Sequence, residues 1–353
     1  MKTKIPVVVL GATGAVGQRF ISLLNNHPWF EVAALTGSER SIGKPYHQTC
    51  NWILPEPMPD WAARCIVQAS DPQALSRFPL VFSALHSEQA RPLEPEFAQR
   101  GVFVCSNASA YRNEPDVPIL MPEVNPQHLD LLRLQQARRG WQGGIVTNSN
   151  CTSAGITVVF QALQQAFGLQ RVFAVSMQAL SGAGYPGVAS LDALDNVIPY
   201  ISGEDEKVEW EPRKMLATLT PTGELLPADF SISAQTHRVP VSDGHTVSMA
   251  VELGRAASPQ EAEAVLSAYL PPEVARGLPS TPSPVIVVRH EVNRPQPRLD
   301  RWTGKGMTTV VGRLRPDPLL HLKMTVLSHN TVRGAAGGAI YNAELLVKCG
   351  WVG

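Results

Sequence analysis

The sequence predicts an α/β protein, a Rossmann-type doubly wound parallel sheet followed by an α+β domain on a mixed sheet. Three observations lead there. A glycine triplet, Gly11-x-x-Gly14-x-x-Gly17, separates a short β-branched apolar run from an amphipathic helical stretch. Short apolar strands then alternate with helical segments up to about residue 150, the pattern of parallel strands buried on both faces. Beyond residue 150 the strands lengthen and alternate in polarity, as in a mixed or antiparallel sheet. A length of 353 residues suits about two domains.

The elements follow in order. The first strand spans 5–10. The first helix carries Val16, Phe20, Leu23 and Leu24 at helical spacing and closes at 26–28. Further strands are expected at 31–35, 80–85, 102–105 and 145–147. A helix at 152–167 opens the second half. Strands at 171–180, 246–253, 285–288, 308–314 and 319–327 follow, and a last helix, 335–347, comes after a glycine-rich turn. The proline-rich stretch 271–284 reads as a loop inside the second half, not a linker.

Composition excludes several classes. Hydrophobic residues make up 44% and charged residues 17%, enough for sizeable cores. Thirty basic residues balance thirty acidic ones, so the basic excess of a nucleic-acid-binding protein is absent. No apolar run approaches the ~18 residues of a membrane span, and the N-terminal apolar stretch is too short for a signal peptide. No membrane partner is expected. The five cysteines are odd in number and widely spaced, without a CxxC pair. Neither a metal site nor a disulfide framework is expected, and a reducing cytoplasm suits the chain.

The chemistry sits in a few motifs. Gly11, Gly14 and Gly17 allow a tight turn and close approach of a diphosphate to a helix N-terminus. After the second strand comes Thr36-Gly-Ser-Glu-Arg-Ser-Ile-Gly-Lys44. Glu39 suits the ribose hydroxyls of NAD, whereas Ser38, Arg40 and Ser41 suit the 2′-phosphate of NADP; the donor count favours NADP. In Thr147-Asn-Ser-Asn-Cys-Thr-Ser-Ala-Gly155, Cys151 falls where helical periodicity begins. A helix terminus favours a thiolate, and its N–H groups with Asn150 suit an oxyanion. Cys65, Cys105 and Cys349 read as ordinary buried or inert thiols. Among nine histidines, His245 stands out after the Asp243-Gly244 turn, with His237 as the competing choice. Arg238, a planar fork of donors, suits a substrate carboxylate. Two clusters are polar for no evident structural reason, Ser106-Asn-Ala-Ser-Ala-Tyr-Arg112 and Glu204-Asp-Glu-Lys-Val-Glu-Trp-Glu-Pro-Arg-Lys214. By composition alone the second is a solvated helix face.

Together these segments resemble the aspartate-β-semialdehyde dehydrogenase family of the archaeal and fungal type, almost end to end. The pieces in order are GATGAVG (11–17), ERSIGKPY (39–46), SNASAYR (106–112), DVPILMPEVN (116–125), TNSNCTSAG (147–155), QALSGAGYPG (178–187), GEDEKVEWEPRK (203–214), HRVPVSDGH (237–245), RPQPRLDR (294–301) and NTVRGAAGGAI (330–340). One departure is His86, where the family often has proline in a loop bordering the cofactor.

The resemblance implies an NADP-binding domain of residues 1–147 and 331–353 and a catalytic and dimerisation domain of 148–330, assembled as a homodimer or homotetramer. It implies Cys151 as the acyl-enzyme nucleophile and His245 as its acid/base. Gln178, Arg238 and Glu211 would bind the substrate, Glu211 at the amino group. Arg112 and Lys214, with Asn107 nearby, would hold phosphate. Gly11, Thr13, Gly14, Ala15, Val16, Gly17, Ser38, Arg40, Ser41, Ser181, Gly182 and Asn330 would surround NADP. The implied reaction is NADPH-dependent reduction of aspartyl phosphate to aspartate semialdehyde through a thioester, on the route to lysine, methionine, threonine and isoleucine. The rivals are an acyl-CoA reductase on the same scaffold, of the malonyl-CoA reductase type, and a non-catalytic NADP-binding sensor.

Overall fold

Val7, Val8, Val9 and Leu10 have no exposed surface, because they form the middle of a sheet covered on both faces. A computed structural model describes residues 3–353. Its first sheet has five parallel strands: β1 (Ile5–Leu10), β2 (Phe30–Leu35), β3 (Leu80–Ser83), β4 (Phe103–Ser106) and β5 (Gly144–Thr147). Their order is β2-β1-β3-β4-β5. Single parallel bridges widen it at both edges, Gln68 beside Thr36 and Ile119 beside Thr147. The order reverses between β1 and β3, which opens a crevice at their C-terminal ends.

The second half contains β6 (Leu169–Gln178), a short ribbon of β7 (Thr218–Leu219) and β8 (Leu225–Leu226), and then β9 (Ser231–Arg238), β10 (His245–Leu253), β11 (Ile286–Arg289), β12 (Thr309–Pro316) and β13 (Leu322–Ser328). Six of these form a mixed sheet in the order β11-β12-β13-β10-β6-β9. The helix Cys151–Phe167 covers one face. Its Gly155 lets it settle on β13: a Cβ there would stand 2.3 Å from Ser328 Oγ. On the opposite face Phe173 is 46% exposed, and Val175 and Met177 are half-buried. The excursion between β6 and β9 also exposes Leu191, Leu194, Val197 and Tyr200.

The final helix, Gly337–Lys348, returns to the first sheet: Leu345 and Leu346 share a core with Val7, Val9 and Phe82. Ala275, Leu278 and Met307 from the second half enter that same core. Where the chain passes between the domains, Arg333 is bound from all sides. Its guanidinium pairs with Glu123 at 2.6 Å, both 2% exposed. It also donates to the carbonyls of Ala154, in the first turn of the Cys151 helix, and of Met307.

Most expected strands exist within a few residues of their predicted limits. β9 was not expected, because SISAQTHR has too few apolar residues to read as a strand; its parallel partner β6 supplies the pairing. The helix Ser87–Gln99 was also missed. It contains Pro92 and Pro95, which argue against a helix locally, yet Ala90, Phe97 and Ala98 are buried against the first sheet. His86 stands at its start, and its carbonyl accepts the Gln89 and Ala90 N–H groups.

Arg333→Leu leaves Glu123 charged and unpaired in the interior. It is expected to cost about 3–5 kcal/mol, read as a lower urea midpoint at unchanged slope. An unchanged midpoint would show that the pair holds nothing together.

Candidate active site

The site is assembled where β5, the ends of β6 and β9, the start of β10 and two helices meet. β5 leads through Asn148 and Ser149 to Asn150, the N-cap of the Cys151 helix. Asn150 Oδ1 accepts the N–H groups of Thr152 at 2.9 Å and Ser153 at 3.2 Å, a regular cap. Those two N–H groups are therefore committed. Asn150 donates from its own backbone to Glu211 and from Nδ2 to Glu204. The nucleophilic turn is thus tied to two carboxylates on the helix Glu204–Met215. Gly334 presses on it from the other side, where a Cβ would stand 2.8 Å from Cys151 Cα.

Cys151 Sγ lies 3.1 Å from His245 Nε2. His245 begins β10, is 1% exposed, and accepts the Ala179 N–H at Nδ1, 3.0 Å away. With Nδ1 occupied as an acceptor, the neutral ring carries its proton on Nε2, facing the sulfur. Burial, with help from Arg238 and His329, pushes this imidazole down to about 3, so the ring is neutral. A helix terminus was expected to hold Cys151 as a thiolate. Instead, burial and then the Glu204 carboxylate push the thiol up to about 12, against Arg112, Arg238 and the residue's own N–H. Desolvation outweighs the helix terminus.

Arg238 ends β9 beside Gln178 at the end of β6. Its Nη1 donates to the Ala179 carbonyl at 2.7 Å, which fixes the guanidinium next to His245. Gly182 roofs both groups: a Cβ there would lie 2.7 Å from Arg238 Nη1 and 3.0 Å from His245 Cε1. Gln178 Nε2 reaches Ser176 Oγ at 3.2 Å and Glu204 Oε1 at 3.3 Å.

Glu211 and Lys214, expected at the ligand, both make internal contacts. Glu211 has no exposed surface, and both oxygens are taken, Oε1 by Arg112 Nη1 at 3.0 Å and Oε2 by the Asn150 N–H. Lys214 spends its ammonium on the carbonyls of Arg112 and Glu114, each at 2.6 Å, and Val117 at 3.0 Å. Lys214 has its three donors engaged, whereas the Glu211 carboxylate accepts one hydrogen bond at each oxygen and keeps acceptor capacity. One spacing earlier, Glu204 is also buried, but its Oε2 meets only Lys207 Nζ at 3.4 Å, and Lys207 is 31% exposed. The same E-x-x-K spacing occurs at both places, and sequence reasoning singled out only the second. Arg112 Nε is buried without a hydrogen-bond partner. Asn107 is half-buried, donating to the Ser83 carbonyl and accepting from Asn148.

At the crevice of the first sheet, Gly11 takes φ +69°, and a Cβ on Gly17 would lie 2.4 Å from the Gly11 carbonyl. The helix Ala15–Leu24 starts from Gly14 with no side-chain cap, so its first N–H groups face outward beside Thr13, Ala15 and Val16. This cradle fits a diphosphate. Ser38 and Arg40 are exposed on the loop after β2, while Ser41 is buried. Asn330 accepts the Gly244 N–H and donates to Ser181 Oγ, each at 2.8 Å, tying the turn before His245 to the loop that carries Gly182. Asn51 of the first domain donates to Tyr185 Oη across the cleft at 2.7 Å.

A glycine cradle at the crevice of the first sheet, with a cysteine at a helix head, a histidine donor and an arginine fork in the second half, is the feature set of a nucleotide-dependent oxidoreductase. Residues 6–132 match the semialdehyde dehydrogenase NAD-binding domain and residues 160–333 the semialdehyde dehydrogenase dimerisation domain. An aspartate-semialdehyde dehydrogenase of Archaeoglobus fulgidus is 51% identical, over 97% of this chain and 98% of its own. One of Schizosaccharomyces pombe is 45% identical, over 98% of each. The crystal structure of the Candida albicans aspartate-semialdehyde dehydrogenase with NADP superposes with a TM-score of 0.90 at 39% identity, covering 99% of this chain and all of that one. The chain belongs to the aspartate-semialdehyde dehydrogenase family. No helix among the described residues is long and apolar enough to cross a membrane.

Gly182→Ala drives a methyl group into Arg238 and His245. Turnover is expected to fall at least ~10-fold, about 1.4 kcal/mol of transition-state binding, while the thermal midpoint stays put. Unchanged steady-state kinetics would place that loop away from the reacting groups.

Proposed function

We propose that the protein catalyses the NADP- and phosphate-dependent interconversion of L-4-aspartyl phosphate and L-aspartate 4-semialdehyde through a thioester on Cys151. The carrying observation is the cysteine sulfur 3.1 Å from a locked imidazole Nε2, ringed by one under-partnered carboxylate and two guanidinium groups. Each charge has a counterpart on the substrate. Arg238 takes the α-carboxylate as a fork, Glu204 takes the α-ammonium, and Gln178 orients the chain between them. Arg112, through its unpartnered Nε, and the partly exposed Lys207 ammonium take the phosphate.

In the reducing direction the Cys151 sulfur attacks the acyl carbon, its thiol proton is taken up by the leaving phosphate, and hydrogen phosphate departs toward Arg112 and Lys207. The second Nδ2 hydrogen of Asn150, the Cys151 N–H and His245 Nε2–H are the donors available to the tetrahedral oxyanion. NADPH, when bound, supplies hydride to the thioester carbon. His245 then steadies the departing sulfur as a hydrogen-bond donor; thiolate expulsion from a hydride adduct needs no external proton. Gly11 to Gly17 would hold the diphosphate, Ser38, Arg40 and Ser41 the 2′-phosphate, and Ser181, Gly182 and Asn330 the nicotinamide end.

The uncovered sheet face at Phe173, Val175 and Met177, with the apolar excursion at 191–200, supports a homodimer through this face. A tetramer would need a further surface. Five free thiols support a reducing cytoplasm. An acyl-CoA reductase would have no use for a buried carboxylate at Glu204, and a sensor none for the Cys151–His245 pair.

The test is NADP reduction with aspartate semialdehyde and inorganic phosphate. Phosphate-dependent turnover that Cys151→Ser abolishes supports the reading, whereas CoA-dependent oxidation of malonate semialdehyde in its place would overturn it. Lys207→Met and Lys214→Met divide the roles. The first is expected to raise the KM for phosphate about 10-fold, equivalent to about 1.4 kcal/mol, at unchanged thermal midpoint, and the second to lower the midpoint. The reverse pattern would restore phosphate binding to Lys214.

A further inference from the structure

The motif RPQPRLDR (294–301) lies between β11 and β12 and is closed on itself by a buried carboxylate. Asp300 has no exposed surface. It accepts Arg294 Nε at 2.6 Å, Arg294 Nη2, and the Gln296 N–H at 2.7 Å. Arg289, at the end of β11, adds its Nε at 3.3 Å. A guanidinium fork on a carboxylate has a fixed geometry, so the loop has a fixed shape. Gly312 of β12 seats it: a Cβ there would stand 2.4 Å from the Arg294 carbonyl. Arg301, the next residue after Asp300, therefore leaves the loop in a set direction.

That direction is toward the turn before His245. Arg301 Nη1 donates to Ser242 Oγ and to the Asp243 carbonyl, each at 3.1 Å. Gly244 takes φ +100° and lies under the motif, where a Cβ would stand 3.2 Å from Pro297 Cβ and 3.4 Å from Arg301 Cβ. On its other side the turn is held by the N–H groups of Leu180 and Ser181, which donate to the Val241 and Ser242 carbonyls at 2.7 and 3.1 Å, and by Asn330. The motif is braced in turn by the first domain. Trp302 sets its ring 4.4 Å from that of His329, and the Arg19 guanidinium, on the helix that starts at the glycine cradle, lies 5.4 Å from the Trp302 ring.

We propose that Arg301 is a positioning residue for the reaction: the closed loop 294–300 aims its guanidinium at the Ser242–Gly244 turn, and this grip holds His245 Nε2 on the Cys151 sulfur. The inference rests on the reading of Cys151 and His245 as the reacting pair. Arg301 acts through the turn, so its loss slows the chemical step and leaves substrate and cofactor binding intact. One nitrogen makes both bonds to the turn, and a lysine ammonium has donors for both. Lysine is therefore the conservative replacement and methionine the disruptive one.

The experiment measures NADP reduction with aspartate semialdehyde and phosphate in wild type, Arg301→Met, Arg301→Lys, Ser242→Ala and the Arg301→Met/Ser242→Ala pair. Arg301→Met is expected to lower kcat about 10-fold, with KM for semialdehyde and NADP within about two-fold of wild type and an unchanged thermal midpoint. Arg301→Lys should recover most of the loss. Ser242→Ala should lower kcat about three-fold, and the double variant should match Arg301→Met, because both changes break one contact. Ser242 is exposed, so its variant reads the same contact should Arg301→Met fail to fold. Unchanged kcat in Arg301→Met, or in Ser242→Ala where Arg301→Met does not fold, overturns the proposal. So do losses that multiply in the double variant, a loss confined to KM, or a midpoint that falls with kcat and is not restored by lysine. Wild-type turnover separates the two failures: where it is phosphate-dependent and Arg301→Met equals it, the positioning role falls and the reaction stands. A wild type without that turnover loses both.

Discussion

The contact between Cys151 Sγ and His245 Nε2 is the constraint on which the rest of the structure depends. It joins the first residue of a helix to the first residue of a strand, 94 residues apart in the chain. Holding it requires the Cys151 helix to lie flat on the second sheet, which Gly155 permits by removing a side chain against β13. It also requires the helix start to be anchored from behind. Arg333 does this, gripping the Ala154 carbonyl while paired with Glu123. The Ala179 backbone completes the arrangement by giving its N–H to His245 and its carbonyl to Arg238, so one peptide segment orients both groups.

The electrostatics around that contact divide by depth along one helix. In Glu204–Met215 the inner acid, Glu211, belongs to the framework, spent on Arg112 and the Asn150 backbone. The inner lysine, Lys214, stitches three carbonyls of the loop between β4 and β5. The outer acid and lysine, Glu204 and Lys207, pair with each other at 3.4 Å, and Lys207 is partly exposed. Burial sets the protonation of the site more strongly than the helix terminus does, and this separates a cysteine that is reactive in principle from one that is reactive at rest.

Much of this was legible in the sequence. The glycine turn, the strand-to-helix position of Cys151 and the Asp243-Gly244 turn before His245 are local patterns with local causes, and the structure has them where they were read. The order Glu-x-x-Lys was also legible, but it occurs twice, seven residues apart, and two helical turns bring both copies to the same face. Which copy opens on the cleft depends on where the helix enters it, a tertiary fact absent from any spacing. β9 was hidden for a similar reason: Ser231, Ser233 and Gln235 give it no apolar signal, and only pairing with β6 makes it a strand. The helix with Pro92 and Pro95 forms because burial of Phe97 and Ala98 outweighs the local penalty. The fates of Asn107 and Lys214 could not be read, since a hydrogen-bond donor looks the same in sequence whether it faces a ligand or a carbonyl.

Gly334 and Gly182 bring bare main chain against the nucleophile and its two neighbours. Two walls of the chamber are consequently made of atoms that codons cannot alter, except to crowd it. Any change in the range of molecules this protein accepts, by evolution or by redesign, falls on the side chains that face these walls, those of Arg112, Gln178 and Arg238 and the outer turns of the helix that carries Glu204 and Lys207.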